Sequence, residues 1–487
     1  MDKKLKKNII YNGLYQIFIV LLPIITIPYI SRIFNRTSIG IYGYTCSITN
    51  IFIYISYFGI ESYGSREIAF VKSSKDKRNQ TFWELWIMQF IMTIVSSGLF
   101  IIVNYFLFYK YFNTLMLWQI MICFSFTQVS WFFIGIEEFD KVVLRNTILR
   151  SSLTVLIFIF IKEEHQLNRY VFLNVLVYLV GNLGLLFSLK KYILKPIFKM
   201  SNVIIHLKKS LWFFIPSITT VLFVSLDKTL LGIFSNIENV AFYEQSQKIL
   251  NIAVGLINSV GMVLLPRMSF YISENKMEEF IKMFNISLKA CITVGFYFVA
   301  GIISVSPLFS SWFFGRNFEG VGFYMQILAV IAFTRPLRGI LTNALFIPLK
   351  QERFVVKLSN IILIFMITGN VLLDTHFGIY GAIISLLTVE LISTWYLFYK
   401  MTIQLPELNM KEIINYLLIN LGASIITVTI VLIMSNYLRK SIITTVILGI
   451  IATIIFLIVS LLLKNEIVWN YVYKMNIFLN NKLKQRG

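Results

Sequence analysis

Charge is what this sequence has least of. Only 14% of its 487 residues are charged, against about a quarter in an ordinary soluble domain. An aqueous globular fold of this length is thereby excluded. Histidine and cysteine are scarce too, at three each. Cys46, Cys123 and Cys291 all fall inside apolar runs, with the spacing of neither a disulfide framework nor a metal site. No metal, cofactor or catalytic residue is therefore expected. Acids are outnumbered by bases, 23 to 44, for a net charge of +21. That balance does not point to nucleic acid, because the basic residues stand between apolar segments, where cytoplasmic loops of membrane proteins collect them.

What remains is hydrocarbon. Hydrophobic residues make up 57% of the chain, and mean hydropathy is +0.76. Apolar runs recur at the length of about 20 residues that crosses a hydrocarbon core. Short alternating segments of the barrel type are absent, so the spacing predicts an all-α polytopic membrane protein. We count about 14 transmembrane helices, near 9–34, 39–60, 82–108, 115–139, 143–161, 170–189, 211–234, 241–264, 284–310, 321–347, 355–374, 379–399, 415–435 and 442–463. "MDKKLKKN" looks like the charged start of a signal peptide, but the apolar run after it is too long and lacks a small-residue cleavage site. We read it as an uncleaved first helix. Even parity puts both termini on one side. That side holds Lys72, Lys75, Lys77 and Arg78, then Lys190, Lys191, Lys195, Lys199, Lys208 and Lys209, besides the basic ends. It is expected to be cytoplasmic. The opposite loops stay under about ten residues, which leaves no room for an outer domain.

A repeat is legible by eye. "IFNRTSIGIYGYTCSITN" (33–50) aligns with "IFSNIENVAFYEQSQKILN" (233–251) with one gap. An offset of an even number of spans implies parallel copies. The expected organisation is two parallel six-helix lobes, 1–200 and 201–405, followed by 406–487 with two extra helices and a basic tail. Polar stripes share this repeat. One runs Gly43, Ser47, Asn50, Tyr54, Tyr57, Glu61; the other runs Glu244, Lys248, Asn251, Gly255, Asn258. Steps of three and four put each on one helix face. The first span has a weaker stripe of Asn12, Gln16, Pro23 and Thr26. Such stripes either glue helices together or line a shared cavity, and we expect Asn50, Asn251 and Lys248 to line one.

The charges inside the spans are the remaining candidates. Asp227, Lys228, Glu244 and Lys248 sum to zero around one helical hairpin. They read as an ion-pair network, either structural or acting as an outer gate. In "AVIAFTRPLRGILTNALFIPLK", Arg335 and Arg338 fall on one face beside the helix-kinking Pro336. Forked guanidiniums suit phosphate oxygens; Glu390 could instead pair with one of them, and two cations against one acid still leave a surplus.

Six segments then carry a resemblance, in order: "YFGIESYGSREIA" (57–69), "SWFFIGIEEFDKV" (130–142), "FIPSITTVLFVSLDKTLLG" (214–232), "VAFYEQSQKI" (240–249), "LLPRMS" (264–269) and "FIPLKQE" (346–352). Over residues 5–400 the chain resembles polysaccharide flippases of the Wzx type, in the multidrug/oligosaccharidyl-lipid/polysaccharide exporter superfamily. The resemblance implies a MATE-like fold of two six-helix lobes. It implies a non-enzymatic function: moving undecaprenyl-pyrophosphate-linked oligosaccharide repeat units from the cytoplasmic to the outer leaflet of a bacterial inner membrane by alternating access. The implied partners are that substrate, membrane lipid, a coupling ion (H+ or Na+) and a polysaccharide polymerase. Arg335 and Arg338 are less clearly family features, so their assignment rests on their chemistry alone. Two rivals fit less well. A cation-coupled multidrug exporter of this fold would have its cargo repelled by the arginines, and the first helix has no acid in its core. A membrane polymerase or glycosyltransferase needs a substantial outer loop, and the one near "KEEHQLNRY" is short.

Overall fold

The computed structural model describes residues 22–469, and of 259–263 the backbone alone. The described chain is helical, with no strand among the described residues. Among the described residues, ten helical segments are long and apolar enough to cross a membrane, and the protein is a multi-pass membrane protein. Of the expected spans outside those ten, 39–60 carries a polar stripe and 321–347 is broken into shorter helices, while 9–34 and 241–264 fall partly on residues outside the description. Asn12, Gln16, the N-terminal lysines and the tail beyond 469 lie outside the described residues.

The chain divides into two compact units, Met1–Ala241 and Phe242–Gly487. The first contains α1 (Leu22–Ile33), α2 (Arg36–Tyr57), α3 (Ile60–Val71), α4 (Lys75–Leu107), α5 (Phe112–Cys123), α6 (Ser130–Gly135), α7 (Phe139–Phe160), α8 (Leu167–Ser188) and α9 (Met200–Phe234). α10 (Ile237–Ser273) crosses the boundary. The repeat shows in the caps: Asn35 Oδ1 accepts the Ser38 N–H at 2.7 Å, and Asn236 Oδ1 accepts that of Asn239 at 2.8 Å. Each satisfies an orphan donor of a helix start. α2 packs along α9, where Gly232 gives way to the Tyr44 ring; a Cβ there would lie 2.2 Å from Tyr44 Cδ2.

Two breaks interrupt this unit. α2 stops where Phe58 and Gly59 turn left-handed, with φ 46° and 76°, and Ser210 Oγ donates to the freed Phe58 carbonyl at 2.6 Å. The span expected over 115–139 is not one helix. It breaks between α5 and α6, and buried Gln89 compensates. Its Nε2 donates to the carbonyls of Ser125 and Gln128 at 3.0 and 3.2 Å, while its Oε1 accepts the Trp131 indole N–H at 3.1 Å.

The second unit continues with α11 (Met277–Phe314), α12 (Val321–Leu328), α13 (Ile331–Ile340), a π-helical segment (Leu341–Phe346), α14 (Glu352–Phe377), α15 (Ile379–Gln404), α16 (Met410–Ser435) and α17 (Ile442–Leu462). The continuous helix expected over 321–347 is divided into α12, α13 and the π turn. The breaks fall at 329–330 and at the π segment, while Pro336, which has no N–H to donate, lies inside α13. α14 and α15 form a hairpin in which Gly381 meets the Leu373 backbone; a Cβ there would lie 2.4 Å from the Leu373 carbonyl. α16 and α17 dock on α11 through a polar node. Lys289, only 4% exposed, bonds both Glu412 and Glu466. Beside it, Thr293 Oγ1, Tyr416 OH and Asn465 Oδ1 form a chain at 2.7 Å per step, and Asn465 Nδ2 donates to Asn420 Oδ1 at 2.9 Å. The lysine is paired where it lies.

Two glycines test this account. At Gly59 a Cβ would lie 2.6 Å from Phe214 N and 2.8 Å from Phe213 C, both backbone. Gly59→Ala should therefore cost more than the about 1–2 kcal/mol of left-handed backbone alone. Gly98 in α4 has nothing within 4 Å, so Gly98→Ala should be neutral or stabilising by up to about 1 kcal/mol. Thermal melts of the two variants in detergent should separate in opposite directions from the parent.

Candidate functional site

The second unit assembles its charged cluster from three helices. α13 buries Ile331, Ala332, Phe333, Thr334, Pro336, Leu337 and Ile340. Arg335 and Arg338 are left on the remaining face, one turn apart. Pro336 stands between them, and Thr394 Oγ1 donates to the Thr334 carbonyl at 3.3 Å. Glu390, on α15, is 0% exposed. Arg335 Nε donates to its Oε1 at 2.6 Å, and Arg338 Nη2 lies 3.3 Å from its Oε2. The guanidiniums reach further: Arg335 Nη1 donates to Asn251 Oδ1 at 3.0 Å, and Arg338 Nη1 to Ser393 Oγ at 3.4 Å.

Asn251 brings in α10. One turn earlier on the same face, Lys248 pairs with Glu244 at 3.7 Å. One turn later, a Cβ on Gly255 would meet nothing within 4 Å. Ala253, half a turn away, is buried. Lys248, Arg335 and Arg338 against Glu244 and Glu390 leave this cluster one positive charge in surplus. Of the two readings open for the arginines, the described geometry has both on Glu390, with their outer nitrogens directed to neutral oxygens. A neutral acceptor of this kind is one that an anionic oxygen outcompetes, because charge-assisted hydrogen bonds are the stronger.

Asn50, Asp227 and Lys228 belong to the first unit. Asp227 is buried in α9, and its Oδ1 accepts the Lys228 N–H at 2.7 Å. Asn50 Nδ2 lies 3.6 Å from Cys46 Sγ, and Ser47 Oγ meets Thr229 Oγ1 at 2.8 Å. The lower part of the α2 stripe joins a polar group that spacing did not reveal. Tyr57 OH lies 3.1 Å from Tyr178 OH, Gln128 Nε2 donates to Glu61 Oε1 at 3.2 Å, and Arg145 Nη1 donates to Asn182 Oδ1 at 2.7 Å. These partners come from three other stretches of chain, so no local pattern joins them. The one available signal was Arg145 itself, a cation in an apolar run. His206 bonds Tyr63 OH at 2.7 Å and faces Glu84 at 3.4 Å.

Known proteins share this design. A family model described as polysaccharide biosynthesis protein matches residues 5–271, more than half of the 487. The chain belongs to that family. A protein of Shigella dysenteriae named "Putative O-antigen transporter" is 23% identical over 394 residues, covering 80% of this chain and 98% of that one. Among solved structures, the lipid II flippase MurJ in an inward closed conformation superposes with a TM-score of 0.72 at 15% identity, over 94% of this chain and 99% of that one. An inward-facing multidrug resistance MATE transporter superposes with a TM-score of 0.61 at 13% identity, over 80% and 94%. At such identities the likeness is one of fold, and the fold of this family member is MurJ- and MATE-like.

The Glu390 node makes a graded prediction. Arg335→Gln removes the 2.6 Å partner of a fully buried carboxylate, and should destabilise by about 3 kcal/mol or more. Arg338→Gln removes a longer contact and should cost less. Arg335→Gln combined with Glu390→Gln should recover much of the single loss. Equal melting shifts for the two arginine variants would contradict the geometry.

Proposed function

We propose that this protein is a flippase that carries undecaprenyl-pyrophosphate-linked oligosaccharide repeat units from the cytoplasmic to the outer leaflet of a bacterial inner membrane, for surface polysaccharide. The observation that carries this reading is the α13–α15 cluster. It is a cationic surplus within a membrane-spanning unit, built on a broken helix, with guanidinium forks already resting on exchangeable neutral oxygens. A lipid tail can stay in lipid, but a sugar-pyrophosphate head cannot cross hydrocarbon unaided. Arg335 and Arg338 hold the pyrophosphate, and Lys248, Asn251 and Asn50 line the path of the head. The relative named for O-antigen transport, the flippase fold and the family membership support the same substrate class.

The finer features belong to this proposal. The chain has fourteen spans in two six-helix lobes, 1–200 and 201–405, with 406–487 appended. Both termini are cytoplasmic, as the basic loops require. The lobes expose the cavity alternately to each side. Asp227 and Lys228 with Glu244 and Lys248 form the outer gate. With the inside negative, moving an anion outward releases about 2.3 kcal/mol per charge per 100 mV. A coupling ion, H+ or Na+, adds to that drive, and a polysaccharide polymerase consumes the product. The protein itself makes and breaks no covalent bond.

The test is complementation. In a cell lacking its own flippase, the wild-type chain should restore surface polysaccharide. Removing all three members of the node, Arg335→Ala, Arg338→Ala and Glu390→Ala together, leaves none of its charges buried alone. It should leave the protein in the membrane while export falls at least about tenfold, the equivalent of about 1.4 kcal/mol. Full export by that triple variant would sink the assignment. Cysteines placed at Asn50 and Asn251, in a background without the native three, should react with a water-soluble thiol reagent, since thiolate forms where water reaches. A cysteine at Ala253 should stay protected, and accumulation of lipid-linked substrate should shift the labelling pattern.

A further inference from the structure

The segment 192–199, between α8 and α9, has no helix of its own, yet its backbone is laced to the start of α4. Arg78 Nη2 donates to the Tyr192 carbonyl at 3.3 Å, and Trp83 Nε1 to that of Leu194 at 3.2 Å. Asn79 accepts the Leu194 N–H at 2.8 Å and donates to the Lys195 carbonyl at 2.9 Å. Glu84 Oε1 accepts the Lys199 N–H at 3.2 Å. With the backbone so occupied, the side chains face outward: Leu194, Ile197 and Phe198 are 63%, 59% and 48% exposed.

Between this segment, α4 and the end of α8 lies a cavity of about 280 Å³ whose walls include Phe82, Trp83, Trp86, Leu189, Lys190 and Ile193. Trp86 Nε1, in that wall, is buried without a hydrogen-bond partner, a cost that an acceptor from outside the chain would remove. The charge carried by the segment itself has one sign. Lys190, Lys191, Lys195 and Lys199 are all exposed, and no acid stands between Glu164 and Asp227. The acid on the α4 side, Glu84, is already occupied by Gln80, Asn202 and the Lys199 N–H.

We propose that this cavity binds an anionic diacyl phospholipid, its phosphate at the lysine rim and the Trp86 indole, the upper parts of its chains against the aromatic wall. Basic pockets between helices on the cytoplasmic side are built for such headgroups, and tryptophan belongs at this depth. A zwitterionic lipid would bring a second cation to a rim already rich in lysine, where Glu138 is held by Lys141 and the Tyr192 hydroxyl. Free phosphate would leave the apolar wall unused. The inference takes from the flippase reading only which leaflet is meant.

The experiment uses the full chain, delipidated in detergent and offered phosphatidylglycerol or phosphatidylcholine, with retained lipid counted by native mass spectrometry. Phosphatidylglycerol should be retained at least about tenfold over phosphatidylcholine, given about 1 kcal/mol per lysine near the headgroup. Lys190→Gln, Lys191→Gln and Lys195→Gln combined should lower that retention at least about fivefold. These exposed sites leave the lipid-free melting temperature unchanged, and Lys357→Gln on exposed α14 serves as the control. Trp86→Phe, which keeps the ring and loses the N–H, should lower retention by a smaller factor. Equal retention of both lipids, or no effect of the triple variant, would overturn the proposal. Displacement by millimolar inorganic phosphate would mark a plain anion site, and displacement by equimolar undecaprenyl pyrophosphate a cargo site; either would overturn it as well. Polysaccharide export in the flippase-deficient cell is a separate readout, so failure here and failure of the flippase reading are distinguishable.

Discussion

The constraint on which this structure depends is that a carbonyl released inside a bilayer has no water to turn to. Every helix break must therefore be supplied with a donor by the chain itself. Gln89 serves two carbonyls between α5 and α6, and Ser210 serves Phe58 between α2 and α3. These donors sit on helices far away in sequence, so each break is also a point of tertiary attachment. These interruptions are thus held in place by the same bonds that make them tolerable.

Charge obeys a parallel rule with opposite stoichiometries. Around Lys289, one cation meets two carboxylates; around Glu390, one carboxylate meets two guanidiniums. Each buried member is compensated, yet neither node is neutral. The first carries a surplus negative charge beside the partly exposed Glu412 and Glu466. The second sets Arg335 and Arg338 of α13 against the single carboxylate of Glu390 on α15. A buried pair of equal charges would have held the helices equally well and attracted nothing.

Much of this was legible in the sequence. Apolar run length gave the helical membrane class, and three-and-four spacing put Asn251, Gly255 and Lys248 on one open face. The segments resembling polysaccharide flippases pointed to the family that the comparison confirms. Arg335, Arg338 and Glu390 were visible because charge in an apolar run is conspicuous. What stayed hidden were long-range partnerships. Nothing near Lys289 in sequence announces Glu412 and Glu466. Arg145, Asn182 and Tyr178 meet Glu61 and Tyr57 only after four stretches of chain are packed together. The breaks at 124–129 and 329–330 were missed because apolar composition reads the same through a kink as through a straight helix.

The Lys289 node has a consequence in time. Its second carboxylate, Glu466, is synthesised 177 residues after the lysine. At about 5–20 residues per second, α11 waits on the order of 10–35 s for the second carboxylate of its node. The second unit is therefore sealed last, by residues beyond its last long helix. A chain halted before residue 466 would be left with an unfinished helix bundle rather than a shorter version of the finished one.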